Sequence, residues 1–61
     1  MTEEYFEQHV GEIITVNLKN GSSLVGKLED FLYAKDNGYN AICIYHNEVL
    51  TEIKLSEIEN I

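Results

Sequence analysis

The sequence predicts a mainly β fold, a small five-stranded, strongly bent antiparallel barrel with a short N-terminal α-helix; the alternative is an open α+β sheet with the helix on one face. Three observations predict this fold. Apolar and polar residues alternate with a period of two along most of the chain, clusters of turn-forming residues separate the alternating segments, and a glycine interrupts the longest segment. The 61 residues, of which 44% are hydrophobic, fit one domain spanning residues 1–61. A domain of this size has a thin margin of stability.

The first predicted element is a helix at about residues 2–10. Thr2 is placed to cap it, and the acidic residues that follow lie in the first turn, where the helix dipole favours negative charge. Tyr5, Phe6 and Val10 share one face of this helix. Because so short a helix is marginal alone, we expect that face to pack on an apolar surface.

Five strands are predicted at about residues 12–19, 22–33, 39–46, 49–55 and 57–61. Asn20-Gly21, between the first two, is a strong hairpin signal and predicts a type I′ turn, in which both residues have positive φ. Gly26 lies in the middle of the second strand. A glycine there predicts a bend, a bulge or a close approach of another backbone, and a bend would curl the sheet.

Alternation along the second strand predicts which side chains share a face. Leu28 and Leu32 fall on the same face as Gly26, and Phe31 and Tyr33 fall on the opposite face. Two interpretations of the aromatic residues on and around this hairpin stay open. They close the core or a subunit interface, or they form an exposed patch for a partner.

The charge balance bears on the kind of partner. Eleven acidic residues against four lysines, with no arginine, give a formal net charge of −7. Nucleic-acid binding draws much of its affinity from basic side chains on phosphate, so the charge disfavours RNA. It matches a basic protein surface, or a solvated acidic surface without a partner.

The sequence carries few signals for catalysis, for a membrane span or for secretion, and we expect a cytoplasmic protein. His9 and His46 lack a positioned carboxylate or thiol, Cys43 lies between isoleucines in a strand, and Glu29 and Asp30 are adjacent and so point to opposite faces. We therefore expect no enzyme activity, metal or cofactor. No apolar run approaches the roughly 18 residues of a membrane span, and no basic segment precedes an apolar stretch as in a secretory signal.

Part of the chain resembles a known family. A short helix, then Gly11-Glu12, then alternating apolar residues up to Asn20-Gly21, and then Leu24-x-Gly26-x-Leu28 resemble the first motif of Sm-like proteins over about residues 5–32. SH3-like domains share the hairpin. The resemblance implies a strongly bent five-stranded barrel capped by the helix. It also implies rings assembled through the fourth and fifth strands, and RNA binding in the ring pore.

The chain departs from the family at its RNA-binding positions. Leu32 and Asp36 stand where the family carries aspartate and asparagine, and Glu57 lies in a turn that normally holds a basic residue beside glycine. His46 lacks the lysine that precedes it in the bacterial RNA-chaperone branch. The resemblance therefore supports the fold more than RNA binding. Acidic Sm-like barrels that inhibit a transcription termination factor offer a protein-binding precedent.

These observations predict a non-enzymatic acidic module that binds a basic protein, as a small regulator or inhibitor of a nucleic-acid-binding protein. The predicted contact residues are Glu29, Asp30, Phe31, Tyr33, Asp36, Tyr39 and Tyr45. The alternative is an Sm-like RNA-binding ring. Its predicted contact residues are Lys35, Asn37, Tyr39 and Asn40. A third prediction is a homo-oligomer formed through strands 49–55 and 57–61.

Overall fold

The alternating segments of the sequence form five antiparallel strands in one sheet, with a helix before the first strand. The structure is a computed structural model, and it describes residues 3–61. The elements are α1 (Glu3–His9), β1 (Ile13–Leu18), β2 (Ser23–Leu32), α2 (Ala34–Asn37), β3 (Ala41–His46), β4 (Val49–Lys54), a 3-10 turn (Leu55–Glu57) and β5 (Ile58–Asn60). The mainly β prediction is confirmed, whereas the predicted cap at Thr2 lies outside the described residues.

The sheet has the strand order β4-β3-β2-β1-β5. Strands β4 and β5 therefore lie at its two edges, and within residues 3–61 no ladder joins them. The hydrogen bonding thus leaves the sheet open, where the sequence predicted closure into a barrel. The long strand β2 pairs with β1 along residues 23–27 and with β3 along residues 27–32.

Gly26 lies where β2 changes partner, and the backbone of β3 passes directly against it. A Cβ atom on Gly26 would stand 2.3 Å from the carbonyl oxygen of Tyr45, so no larger residue fits without movement of the backbone. Of the three alternatives predicted for this glycine, a bend, a bulge or a close backbone approach, the structure shows the close approach. His46 ends β3 at the same place, and its Nδ1 lies 2.7 Å from the carbonyl oxygen of Val25.

A β-bulge after Leu28 changes which side chains of β2 face the core. The register with β3 shifts between Leu28 and Asp30, and the two acidic residues Glu29 and Asp30 are both exposed. Phe31 consequently lies on the core side and is buried, while Leu32 is only half-buried. The predicted faces of Phe31 and Leu32 are therefore wrong, because a bulge inserts one extra residue and reverses the alternation beyond it.

The hairpin turn between β1 and β2 differs from the predicted type. Asn20 does not have positive φ, and Gly21 alone does, at 93°. The N–H of Gly21 donates to the carbonyl of Leu18 at 3.0 Å, which gives a three-residue loop with glycine in the left-handed region. The predicted type I′ turn at Asn20-Gly21 is therefore wrong. Consecutive positive φ values occur instead at Asn47 and Glu48, 49° and 65°, between β3 and β4.

Apolar side chains of α1 and of the inward face of the sheet form the core. The buried hydrophobic residues are Phe6, Ile14, Val16, Leu28, Phe31, Ala41, Ile42, Ile44, Ile53 and Ile58. Helix α1 contributes only Phe6, which is completely buried, whereas Tyr5 and Val10 are 36% and 46% exposed. Of the three side chains predicted to pack against an apolar surface, only Phe6 is therefore buried in the core.

Candidate functional site

Four residues on adjacent strands form a row across the outer face of the sheet, the face that points away from the core. Ile13 is paired with Lys27, Lys27 with Tyr45, and Tyr45 with Leu50. Direct antiparallel partners share a face, and the buried strand neighbours Ile14, Leu28 and Ile44 point to the opposite face, towards the core. The exposed fractions of Ile13, Tyr45 and Leu50 are 75%, 45% and 59%. We call these four residues the apolar row.

Two features add apolar surface to this row: a neighbouring valine and the aliphatic stem of Lys27. Val25, 52% exposed, lies on the same face of β2, one outward position before Lys27. The ammonium of Lys27 lies 3.9 Å from a carboxylate oxygen of Glu29. Since a lysine carries its charge on a long apolar stem, the stem can cover the sheet while the charged end stays in water.

A second row of outward residues lies beside the first. Asp30 is paired with Cys43, and Cys43 with Glu52. Cys43 is two residues before Tyr45 on β3, so the two rows are about 7 Å apart along the strands. We call Asp30, Cys43 and Glu52 the acidic row. Partial burial raises the pKa of the Cys43 thiol, and the charges of Glu52 and Asp30 raise it further.

Tyr39 holds one end of the acidic row in place. Its hydroxyl donates to Oε2 of Glu52 at 2.5 Å, and the ammonium of Lys54 lies 4.6 Å from the centre of its ring. The hydrogen bond to Glu52 raises the pKa of Tyr39, and the charge of the same carboxylate adds to the shift. Tyr39 therefore orients Glu52, and 36% of its own surface stays exposed.

Phe31 and Tyr33 attach helix α1 to the end of β2. The centre of the Phe31 ring lies 6.1 Å from that of Phe6 and 4.9 Å from that of Tyr33. The hydroxyl of Tyr33 donates to Glu7, and this bond contributes most to raising the pKa of Tyr33 to about 12. Phe31 is 4% exposed, so the prediction that it contacts a partner does not fit its place in the core.

The residues predicted to contact RNA lie in and after the one-turn helix α2. The side-chain oxygen of Asn40 accepts from the backbone N–H of Ala34 at 2.8 Å, and the amide of Asn37 donates to the carbonyl of Tyr33 at 3.2 Å. These amides therefore hold the connection between β2 and β3 in shape. Lys35 and Asp36, also in α2, are exposed.

The structure places four of the seven predicted protein-contact residues on the outer face of the sheet or next to it. These four are Glu29, Asp30, Tyr39 and Tyr45. The predicted contact residues did not include Ile13, Val25 and Leu50, which are exposed on this face. Alternation placed Ile13 and Leu50 with the polar residues of their strands and Val25 with Phe31 and Tyr33, and that was the available signal. The strand register that brings them together is not visible in the sequence.

The histidines take part in separate local contacts. Nδ1 of His9 lies 3.0 Å from a carboxylate oxygen of Glu12, and the ring of His46 lies between Val25 and Asn47. Among residues 3–61, no group of three or more histidine, cysteine, aspartate and glutamate side chains is arranged to hold a metal ion. Neither of the two α-helices in that range has the length and apolar character needed to cross a membrane.

The comparisons with known proteins add no family to this description. The chain matches no family model, no curated protein and no solved structure.

Proposed function

We propose that this chain is a non-enzymatic, acidic protein-interaction module that binds a basic partner protein through the outer face of its sheet. The observation that carries the proposal is the apolar row, in which Ile13, Tyr45 and Leu50 are about half exposed or more and are aligned across the sheet, with Lys27 between the first two. Covering a large apolar side chain is worth about 1.5–3 kcal/mol. A contiguous apolar patch rimmed by polar groups is typical of a protein contact surface.

The charge around the apolar row supports a basic partner. The chain carries −7, and the acidic row places Asp30 and Glu52 on the same face. Opposite charge on the partner would speed encounter and select against acidic competitors. A regulator or inhibitor of a nucleic-acid-binding protein is a partner class that fits, because the surfaces of such proteins are basic.

The proposed fold family is the Sm-like or SH3-like group of small barrels. The order of elements, one helix followed by five antiparallel strands, supports this proposal. So does β2, which pairs with β1 in its first half and β3 in its second around Gly26. We also propose a cytoplasmic location. Self-association through β4 and β5 stays a prediction, and the position of both strands at sheet edges is compatible with it.

A binding assay with defined probes tests the proposal against RNA binding. The labelled protein is titrated with lysine-rich peptides that contain leucine, with acidic peptides of equal length, and with uridine-rich and adenosine-rich RNA oligomers. We expect binding to the basic peptides alone, weakened at least tenfold by Tyr45→Ala and unchanged by Val49→Ala, a matched exposed position on the other face of β4. RNA binding at moderate salt, or equal binding by Tyr45→Ala, would overturn it.

A further inference from the structure

We infer that the segment of the partner that docks here is a basic amphipathic α-helix of about three turns, lying across β1, β2, β3 and β4. This inference rests on the proposed function and specifies the class of ligand. It is carried by the parallel alignment of the apolar row with the acidic row on one face of the sheet.

The length of the apolar row sets the length of the segment. Ile13 and Leu50 are separated by three strand spacings of about 4.8 Å each, or about 14 Å in all. A helix rises 1.5 Å per residue, so about ten residues, close to three turns, cover this distance. Residues three and four apart on the helix would then face successive members of the row, with apolar residues over Ile13, Tyr45 and Leu50 and the position between the first two over Lys27.

The position of the row on a sheet face favours a helix over an extended peptide. The strands under the row pair with their neighbours through their backbones, so the face presents side chains only. An extended peptide laid on it would find few partners for its own N–H and C=O groups. A helix satisfies those groups internally and offers its apolar stripe alone.

The acidic row specifies the charge of one flank of that helix. Asp30 and Glu52 lie about 7 Å from the apolar row, a distance that lysine or arginine on the flank of a helix can reach. Tyr39 holds Glu52 through its Oε2, and Asp30 accepts the backbone N–H of Phe31 through its Oδ1. Each carboxylate therefore keeps a second oxygen for a basic side chain.

Three synthetic peptides of fourteen residues test the inference. The first has leucines at helical spacing and lysines on one flank, the second has the same composition in scrambled order, and the third carries a central proline in the first sequence. Binding to the labelled chain is followed by fluorescence anisotropy, and peptide helicity by circular dichroism at 222 nm. We expect the first peptide to bind at least tenfold more tightly than the others and to gain helicity when bound.

Matched variants locate the binding on the chain. Leu50→Ser and Asp30→Asn should each weaken binding of the first peptide about three- to tenfold, whereas Val49→Ser and Glu59→Gln should leave it unchanged. All four positions are exposed, so the variants should keep the fold, and far-ultraviolet circular dichroism checks this. Asparagine at position 30 can still accept the backbone N–H of Phe31.

The outcomes separate this inference from the proposed function. Equal binding of the helical and proline-containing peptides, with Leu50→Ser still harmful, would overturn the helix and leave the interaction surface standing. Binding that is indifferent to Leu50→Ser and Asp30→Asn would overturn both.

Discussion

The carbonyl oxygen of Tyr45 lies 2.3 Å from the place where a Cβ atom on Gly26 would stand. This contact brings β3 onto β2 at the point where β2 exchanges β1 for β3 as its partner. One residue further along β2, Lys27 pairs with Tyr45, and this pair is the middle of the apolar row. The same close approach thus supports the packing of the core and the alignment of the proposed surface.

Gly26→Ala should destabilise the protein by about 3 kcal/mol, because the added methyl group would meet backbone and cannot move aside. A domain of this size has about 3–5 kcal/mol in all, so most of its stability would be lost. Urea unfolding measures the change, with Val25→Ala at an exposed neighbouring position as the control. A loss below about 0.5 kcal/mol for Gly26→Ala would contradict the observed packing.

Glu48→Gly should stabilise the protein by about 1 kcal/mol, because Glu48 has a φ of 65° and glycine adopts such values without steric cost. Thermal unfolding should shift upward by about 4–8 °C for a domain of this length. Glu48→Ala removes the same charge and keeps the strained backbone, so it should give no comparable gain. Equal gains from both variants would attribute the effect to charge instead.

Phe6→Ala should cost about 3–5 kcal/mol and release α1, because Phe6 is the one completely buried side chain that the helix contributes to the core. Val10→Ala, at a position 46% exposed, should change stability by less than about 0.5 kcal/mol. Because a loss of this size can remove the whole stability of so small a domain, far-ultraviolet circular dichroism first measures the folded fraction of Phe6→Ala, and urea unfolding then compares the two variants as far as they fold. Similar losses in both would mean that the helix packs through its whole apolar face.

Tyr33 should release its hydroxyl proton at about pH 12, because the hydroxyl donates to Glu7 and the nearby negative charges oppose a phenolate. A raised pKa means that the folded state holds this proton more tightly than the unfolded state does. The resulting stability is fully present below about pH 10 and is lost as the pH rises from 10 towards 12.

Ultraviolet titration near 295 nm, with Tyr33→Phe subtracted from the wild type, isolates this group. Glu7→Gln should lower the pKa of Tyr33 part of the way towards 10, the ordinary value of tyrosine, since glutamine removes the negative charge but can still accept the hydrogen bond that contributes most to the shift. Glu59→Gln, at another exposed acidic position, serves as the control. An unchanged Tyr33 titration in Glu7→Gln would contradict the contact between α1 and β2.

The alternating pattern of the sequence was sufficient to predict the strands and much of the core. Ile14 and Val16 on β1, and Ile42 and Ile44 on β3, face inward as alternation predicts. The glycine in the middle of β2 predicted a bend, a bulge or a close backbone approach, and the structure shows the last of these. These features depend on local periodicity and on the missing side chain of glycine, and both are visible in one sequence.

Other features depend on relationships between strands. The bulge between Leu28 and Asp30 reverses the alternation and moves Phe31 into the core. No residue type at these positions predicts a bulge. The loop that contains Asn20-Gly21 has three residues instead of two. The two consecutive positive φ values expected there occur at Asn47 and Glu48, neither of which is a glycine. The apolar row was missed because it depends on the register of four strands, with each strand supplying one residue.

Chemical-shift mapping of the isotope-labelled chain during titration with the helical basic peptide tests the central claim most directly. We predict that the largest amide shifts fall on the outer-face residues of β1 to β4, centred on Lys27 and Tyr45 and extending to Asp30 and Glu52. Shifts confined to α2 and Asn40, or to β5, with the outer-face residues unaffected, would contradict the account.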